Sequence, residues 1–422
     1  MDEVIIIGGG PAGSGLGCYL SLAGIKNTIF EKANHPRPHV GESLVPSTTR
    51  VFKEIGFLDC LENGAFVKKL GAAWHPPRKA ETVYIKFKKF VIPGVEQDHT
   101  YHVDRGNFDH LLLRHAESLG SKVCQGVQVK EVLFDGDRAV GVKLDVAGQT
   151  LVRHASMVID ASGRSTLLGR QLGLKQTDPL FNQFAVHSWY SAVDRGDAET
   201  ADYIHIHFLP VRRGWVWQIP IDERITSIGV VAEKAVFKGS KKDYAGWFQQ
   251  LVESAPDITH AMRDARQEKD FVVEADYSYS MERLVGDGFM LLGDAARFVD
   301  PIFSSGVSVA LYSARFAAER IRHAFETGDF SAAVFKPYED RLRNGVSVWY
   351  EFIRLYYKLL PLFTHFIKTE KYRDQVLQLL SGDVYDRQAV PVLDSMREFV
   401  RSAESVENHV YKPYLDPDIT VD

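Results

Sequence analysis

Gly8, Gly10 and Gly13 stand at G-x-G-x-x-G spacing in GGGPAG, directly after the apolar run at residues 4–7. In such a turn the first glycine permits the sharp bend, the second lets backbone approach a pyrophosphate, and the third lets helix and strand pack closely. Pro11 and Ala12 open the helix that follows, where free N–H groups and the helix dipole favour an anion. Glu31 closes the next apolar run, in position to accept hydrogen bonds from a ribose hydroxyl. A glycine turn alone is an ordinary feature. Strand, turn, helix and acid in one unit point to a dinucleotide.

Other residues could add chemistry. Arg105 in YHVDRGNFD precedes a helix, Asp160 ends a strand in VIDASG, and Gly293 and Asp294 end a late strand in LLGDAA. Residues 215–220 read WVWQIP, with Trp215 and Trp217 on one face of a strand, a pattern that core packing alone also explains. Residues 298–306 read FVDPIFSSG and run into a helix. Backbone N–H groups at such a point can hold an anion, and a serine there can also cap the helix.

These residues need a frame. Residues 4–31 read as a βαβ unit, with Gly24 ending its helix. Helix and strands follow over 102–160. Residues 80–92 and 180–235 alternate apolar and polar side chains (YIHIHFL, GWVWQIPI, ITSIGVVAE), the pattern of an antiparallel sheet. A long helix is predicted from about 305 to 325. Beyond 338 the chain reads helical: Trp349, Ile353, Tyr356, Leu360, Phe363 and Ile367 form an apolar stripe that Pro361 should kink or split. The expected fold is α/β: a Rossmann-like nucleotide unit (1–75, 100–178 and 280–337), an antiparallel β substrate unit inserted in it (76–99 and 179–279), and a helical C-terminal segment (338–422).

Composition narrows the function. A length of 422 residues suits two or three substructures. The net charge of −5 argues against a binder of phosphate backbones, so no nucleic acid partner is expected. Aromatic content of 11% suits a large apolar ligand cavity. Three cysteines, Cys18, Cys60 and Cys124, lack metal-ligand spacing and read as reduced thiols, so no metal is expected and the location reads as cytoplasmic. No apolar run is long enough to span a bilayer, so no membrane association is expected, and the N-terminus has no secretory pattern.

The glycine turn, Arg105, VIDASG and LLGDAA, in this order, resemble the FAD-binding module shared by aromatic hydroxylases, geranylgeranyl reductases and flavin-dependent halogenases. The resemblance implies FAD held by Gly8, Gly10, Pro11, Ala12, Gly13, Glu31, Glu42, Ser43, Arg105, Asp160, Gly293, Asp294 and Pro301. Arg105 would contact the flavin side, and Asp294 the ribityl–pyrophosphate region. Three segments resemble the halogenases in particular. Trp215, Trp217, Ile219 and Pro220 match W-x-W-x-I-P, whose aromatics keep organic substrate off the flavin and suppress direct hydroxylation. Phe298, Pro301, Ser304 and Gly306 match F-x-x-P-x-x-S-x-G, implying a halide site at Ser304, Ser305 and Gly306, with Phe298 and Phe303 in the substrate region. Lys69, in FVKKLGAAW, matches the single catalytic lysine of that family, and this choice over Lys68 rests on the match, not on spacing. An amine there can take up oxidised chlorine or hydrogen-bond hypochlorous acid.

Over nearly the whole chain the segments HVGESLVP, KKLGAAW, HVDRGNFD, VWQIPI, ADYSY and GDAARFVDPIFSSGVSVAL are most similar to the pyrrolyl-carrier-protein halogenases of pyoluteorin type. That subgroup implies reduced FAD (FADH2) supplied by a separate flavin reductase, O2, chloride or bromide, and a pyrrole ring tethered to an acyl-carrier or peptidyl carrier protein. Phe303 stands where tryptophan halogenases carry a glutamate, so no general base is implied. Aromatic hydroxylases and prenyl reductases share the fold, but W-x-W-x-I-P argues against them, and the intact lysine and tryptophans argue against a flavin binder without catalysis. Lys86, Lys88 and Lys89 form a possible basic dock for an acidic carrier, although edge-strand lysines are commonly just solvated.

Overall fold

A computed structural model describes residues 3–76, 81–89, 95, 97–275, 278–385 and 390–421. Val4–Ile7 is the centre of a six-stranded sheet, because four consecutive apolar residues can be buried on both faces only between parallel neighbours. Asn27–Glu31 and then Lys122–Gln125 lie on one side of it. Met157–Asp160 and Phe289–Leu291 lie on the other, all in parallel. The short strand Val285–Gly286 closes one edge in antiparallel. The helix Pro11–Leu22 packs between Arg105–Leu119 and Gly306–Thr327. It stops one residue before Ala23, and Gly24 turns the chain at φ +72°.

The second sheet has eight strands. Gln183–Ser191, Ile225–Glu233, Trp215–Pro220 and Ile204–Phe208 run antiparallel to their neighbours, as the alternating pattern predicts. One strand departs from it. Gly71–His75 joins Ile204–Phe208 in parallel, so the sheet is mixed, and a strand grouped with the nucleotide unit on sequence pairs here. Both faces of the sheet are covered. Ile204, Ile206, Trp215, Trp217 and Ile219 face the main core, which is continuous with the nucleotide unit. Val216, Ile228 and Val230 face a second core under Trp247, Phe248 and Leu251.

The C-terminal stripe is helical and divided at Pro361. Ala332–Lys358 ends, a short 3-10 turn spans Leu360–Leu362, and Phe363–Lys368 resumes. Trp349, Ile353, Tyr356 and Phe363 are fully buried, so the stripe packs on the core. Among the described residues, no helix is long and apolar enough to cross a membrane. Lys86 pairs with Glu199 and Lys88 with Asp98, while the Lys89 side chain, and Asp276 and Tyr277 of ADYSY, lie outside the described residues.

Candidate active site

The glycine turn and the helix it opens form one wall of a cavity of about 940 Å³. The three glycines differ in what surrounds them. Gly8 has φ +105°, and a Cβ there would lie 2.4 Å from Ala161 O. A Cβ on Gly13 would lie 1.9 Å from Gly8 O, so this position serves packing and not contact. At Gly10 the nearest atom to an added Cβ is Arg37 Nη2 at 3.7 Å, which leaves the backbone open to the cavity. The Glu31 carboxylate is fixed at the cavity edge by the N–H groups of Gly9 and Ala33, both at 2.8 Å. Arg105 grips Asp109 with both arms of its fork, at 2.8 and 3.1 Å, donates to Val40 O at 2.6 Å, and lines the cavity beside Glu42 and Ser43. Asp294 also lines it. Burial pushes that carboxyl up to about 6, against the pull of Arg105 and Arg164.

Asp160 and Gly293 act from behind the wall. Asp160 is fully buried and accepts from the N–H groups of Ser162 (3.0 Å) and Leu168 (2.7 Å), which shapes the turn after its strand. Gly293 adopts φ +55° and donates its N–H to Ser313 Oγ at 2.9 Å. An open glycine at a helix N-terminus, an anchored acid and a cationic side chain around an elongated cavity fit a dinucleotide cofactor.

The opposite wall is the inner face of the mixed sheet. Trp215, Trp217 and Ile219 line the cavity with Ile204 and Ile206 of the next strand, whereas Pro220 ends its strand outside the lining. The Trp217 ring lies flat across its cross-strand neighbour Gly229, where any Cβ would fall 2.1 Å from the ring. Pro301, Ser304 and Gly306 line the third side. Ser304 takes φ +58°, and Gly306 begins a 22-residue helix with nothing within 4 Å of an added Cβ. Ser305 occupies the cap position, but its hydroxyl makes no capping bond and is fully buried, with no partner among the described residues. Phe298 lines the cavity with the Arg164 guanidinium 5.6 Å from its ring centre. Phe303 does not reach the cavity. It stacks on Phe352 (4.4 Å between centres) and meets Tyr356 edge-to-face (4.9 Å), both of the C-terminal helix.

Lys69 ends the strand Val67–Lys69 and is 3% exposed, whereas Lys68 points outward to Glu62. Its Nζ donates to Leu44 O at 2.8 Å and lies 5.5 Å from the Phe87 ring centre. Among the described residues no carboxylate pairs with it, and burial pushes the amine down to about 7. Lys69 is not part of the cavity lining, which includes Glu42 and Ser43 and stops at the residue before its hydrogen-bond partner Leu44.

Sequence reasoning missed Asp300 and Tyr357. Asp300 is fully buried, accepts from Tyr357 Oη at 3.1 Å, and burial pushes it up to about 7. The segment FVDPIF contains the acid, but burial was not readable from its type. Trp189 was missed as well; its indole N–H donates to Glu42 Oε1 at 2.6 Å.

The tryptophan halogenase family model matches residues 3–97 and 93–362. A 1H-pyrrole-2-carbonyl-[peptidyl-carrier protein] chlorinase of Pseudomonas fluorescens is 48% identical, over 98% of this chain and 96% of its own length. A 1H-pyrrole-2-carbonyl-[peptidyl-carrier protein] brominase of Pseudoalteromonas luteoviolacea is 30% identical, over 91% and 92%. Among solved structures, the flavin-dependent brominase Bmp2 superposes with a TM-score of 0.87 at 28% identity, covering 95% of this chain and 98% of that one. The chain belongs to the tryptophan halogenase family and is a flavin-dependent halogenase that uses FAD.

Proposed function

We propose that this enzyme chlorinates a pyrrolyl ring held as a thioester on a peptidyl carrier protein, using chloride, O2 and reduced FAD delivered by a separate reductase. The observation that carries the reading is the 48% identity to the pyrrolyl-carrier chlorinase along almost all of both chains. Bound in the cavity, reduced FAD supplies with O2 the two-electron oxidation of halide: FADH2, O2, chloride and one proton give FAD, hypochlorous acid and water. Gly10 and the following helix N-terminus bind the pyrophosphate, and Glu31 the ribose. The N–H groups at Ser304–Gly306 hold the halide. Trp215, Trp217 and Ile219 exclude the organic substrate from this chamber. Lys69 receives the oxidised chlorine. As a neutral amine it exchanges an N–H hydrogen for chlorine with loss of water, and the pyrrole carbon then exchanges its hydrogen for that chlorine, restoring the amine. Bromide serves in place of chloride by the same steps.

The test is intact-protein mass spectrometry of a pyrrolyl-carrier protein after turnover with reduced FAD, O2 and chloride. Replacement of ring hydrogen by chlorine supports the reading. Gain of oxygen, or reaction only with other acyl carriers, overturns it.

A further inference from the structure

Each tryptophan of the cavity wall donates its indole N–H to a hydroxyl that is not part of the cavity lining, and for Trp215 that hydroxyl is tied in turn to a buried carboxyl. Trp215 Nε1–H donates to Tyr357 Oη at 3.0 Å, and that hydroxyl donates to Asp300 Oδ1 at 3.1 Å. Trp217 Nε1–H donates to Ser227 Oγ at 3.1 Å, and the Ser227 side chain lies near the buried Glu42 carboxyl, which accepts from the Trp189 indole at 2.6 Å. The two chains come from different elements. Tyr357 belongs to the C-terminal helix, Asp300 to the segment before the flavin-facing helix, Ser227 to the neighbouring strand, and Glu42 to the loop that lines the cavity. All four bridging or terminal residues are 4% exposed or less.

Geometry gives the arrangement a consequence. A hydroxyl that accepts from an indole must direct its own proton elsewhere, and a carboxyl acceptor on the far side fixes that direction. The Trp215 indole is then held in place by the Tyr357–Asp300 pair, and the Trp217 indole by its bond to Ser227. For Trp217, Gly229 adds a flat seat beneath the ring.

We infer that Tyr357 with Asp300, and Ser227, are positioning residues that hold Trp215 and Trp217 with their N–H groups turned away from the flavin cavity. This inference rests on the shielding role proposed for the two tryptophans. Tyr357→Phe and Ser227→Ala each remove one hydroxyl with little change in volume, and Ser227→Thr restores it. Tyr350→Phe, on the same helix as Tyr357 but with a hydroxyl that bonds neither Trp215 nor Trp217, is the control.

The first readout needs no flavin: proton exchange of ¹⁵N-labelled indole N–H groups, of which the chain has only six tryptophans to assign. Tyr357→Phe speeds exchange at Trp215 and Ser227→Ala at Trp217, each by roughly tenfold or more and each without effect on the other indole. Tyr350→Phe changes neither, and Ser227→Thr returns Trp217 to the parent rate. The second readout is the share of consumed reduced flavin that leaves as halogenated product instead of hydrogen peroxide, which falls in both hydroxyl-deleted variants. Unchanged exchange at both indoles, or faster exchange with unchanged partition, overturns the inference. A parent enzyme that halogenates nothing removes the proposed function, while the exchange experiment still decides whether the hydroxyl chains hold the indoles.

Discussion

At the scale of single residues, Lys69 carries the most specific expectation. Its amine is buried, hydrogen-bonded among the described residues only to a neutral carbonyl, and pushed down from 10.5 to about 7. An amine whose pKa falls on folding binds fewer protons folded than unfolded between those two values, so its contribution makes stability rise with pH across that window and is fully unfavourable below about 7. Lys69→Met should therefore melt above the parent at pH 6, and the gap should shrink as the pH is raised through 7 and beyond. Melting curves across that range check it, and a gap that is constant with pH contradicts it. If the neutral amine is the species that takes up chlorine, product formation also rises through pH 7. The identity of this lysine was legible only through family resemblance, since Lys68 and Lys69 are the same residue type side by side. What separates them is strand alternation: one points out to Glu62 and the other in to Leu44.

At the scale of elements, the glycine turn was readable in detail because each glycine answers a local steric demand. Gly13→Ala would drive a Cβ into Gly8 O, a rigid backbone atom, and should cost at least about 1–3 kcal/mol of stability together with FAD retention. Urea unfolding and flavin titration measure both. Glu31→Ala leaves the Gly9 and Ala33 N–H groups without their acceptor and should weaken FAD binding roughly 10- to 100-fold, the scale of a charged hydrogen bond. An affinity equal to the parent's would remove Glu31 from the site. The parallel pairing of Gly71–His75 was not legible, because alternation reports which face is buried but not which strand is the neighbour or in what direction it runs. The same limit hid the partnership of Trp215 with Tyr357, residues 142 positions apart.

At the scale of the whole molecule, the C-terminal helices are continuous with the flavin unit through Phe303, which stacks on Phe352 and meets Tyr356 edge-to-face. The helical stripe and its break at Pro361 were visible as spacing, whereas the surface it covers was not. Phe303→Ala should destabilise the protein by about 3–5 kcal/mol, as for a large aromatic truncated inside a packed core, with loss seen in a single unfolding transition. A separate early transition for the C-terminal helices would show instead that they are an independent unit. The assembled molecule thus holds a cavity walled by the glycine turn, the tryptophan strand and the Ser304–Gly306 loop, with the Lys69 amine outside the lining and bonded to Leu44, the residue after the lining Ser43.

The central claim is that chlorine oxidised in that cavity reaches the substrate ring through the Lys69 amine. Its most direct test compares the parent with Lys69→Ala in one reaction, recording carrier-bound chloropyrrole by intact mass alongside hypochlorous acid caught by an added trap. The account predicts that the variant still releases hypochlorous acid while chloropyrrole falls by at least roughly 10²-fold. Chlorination of the carrier-bound ring at the parent's rate in Lys69→Ala would contradict it.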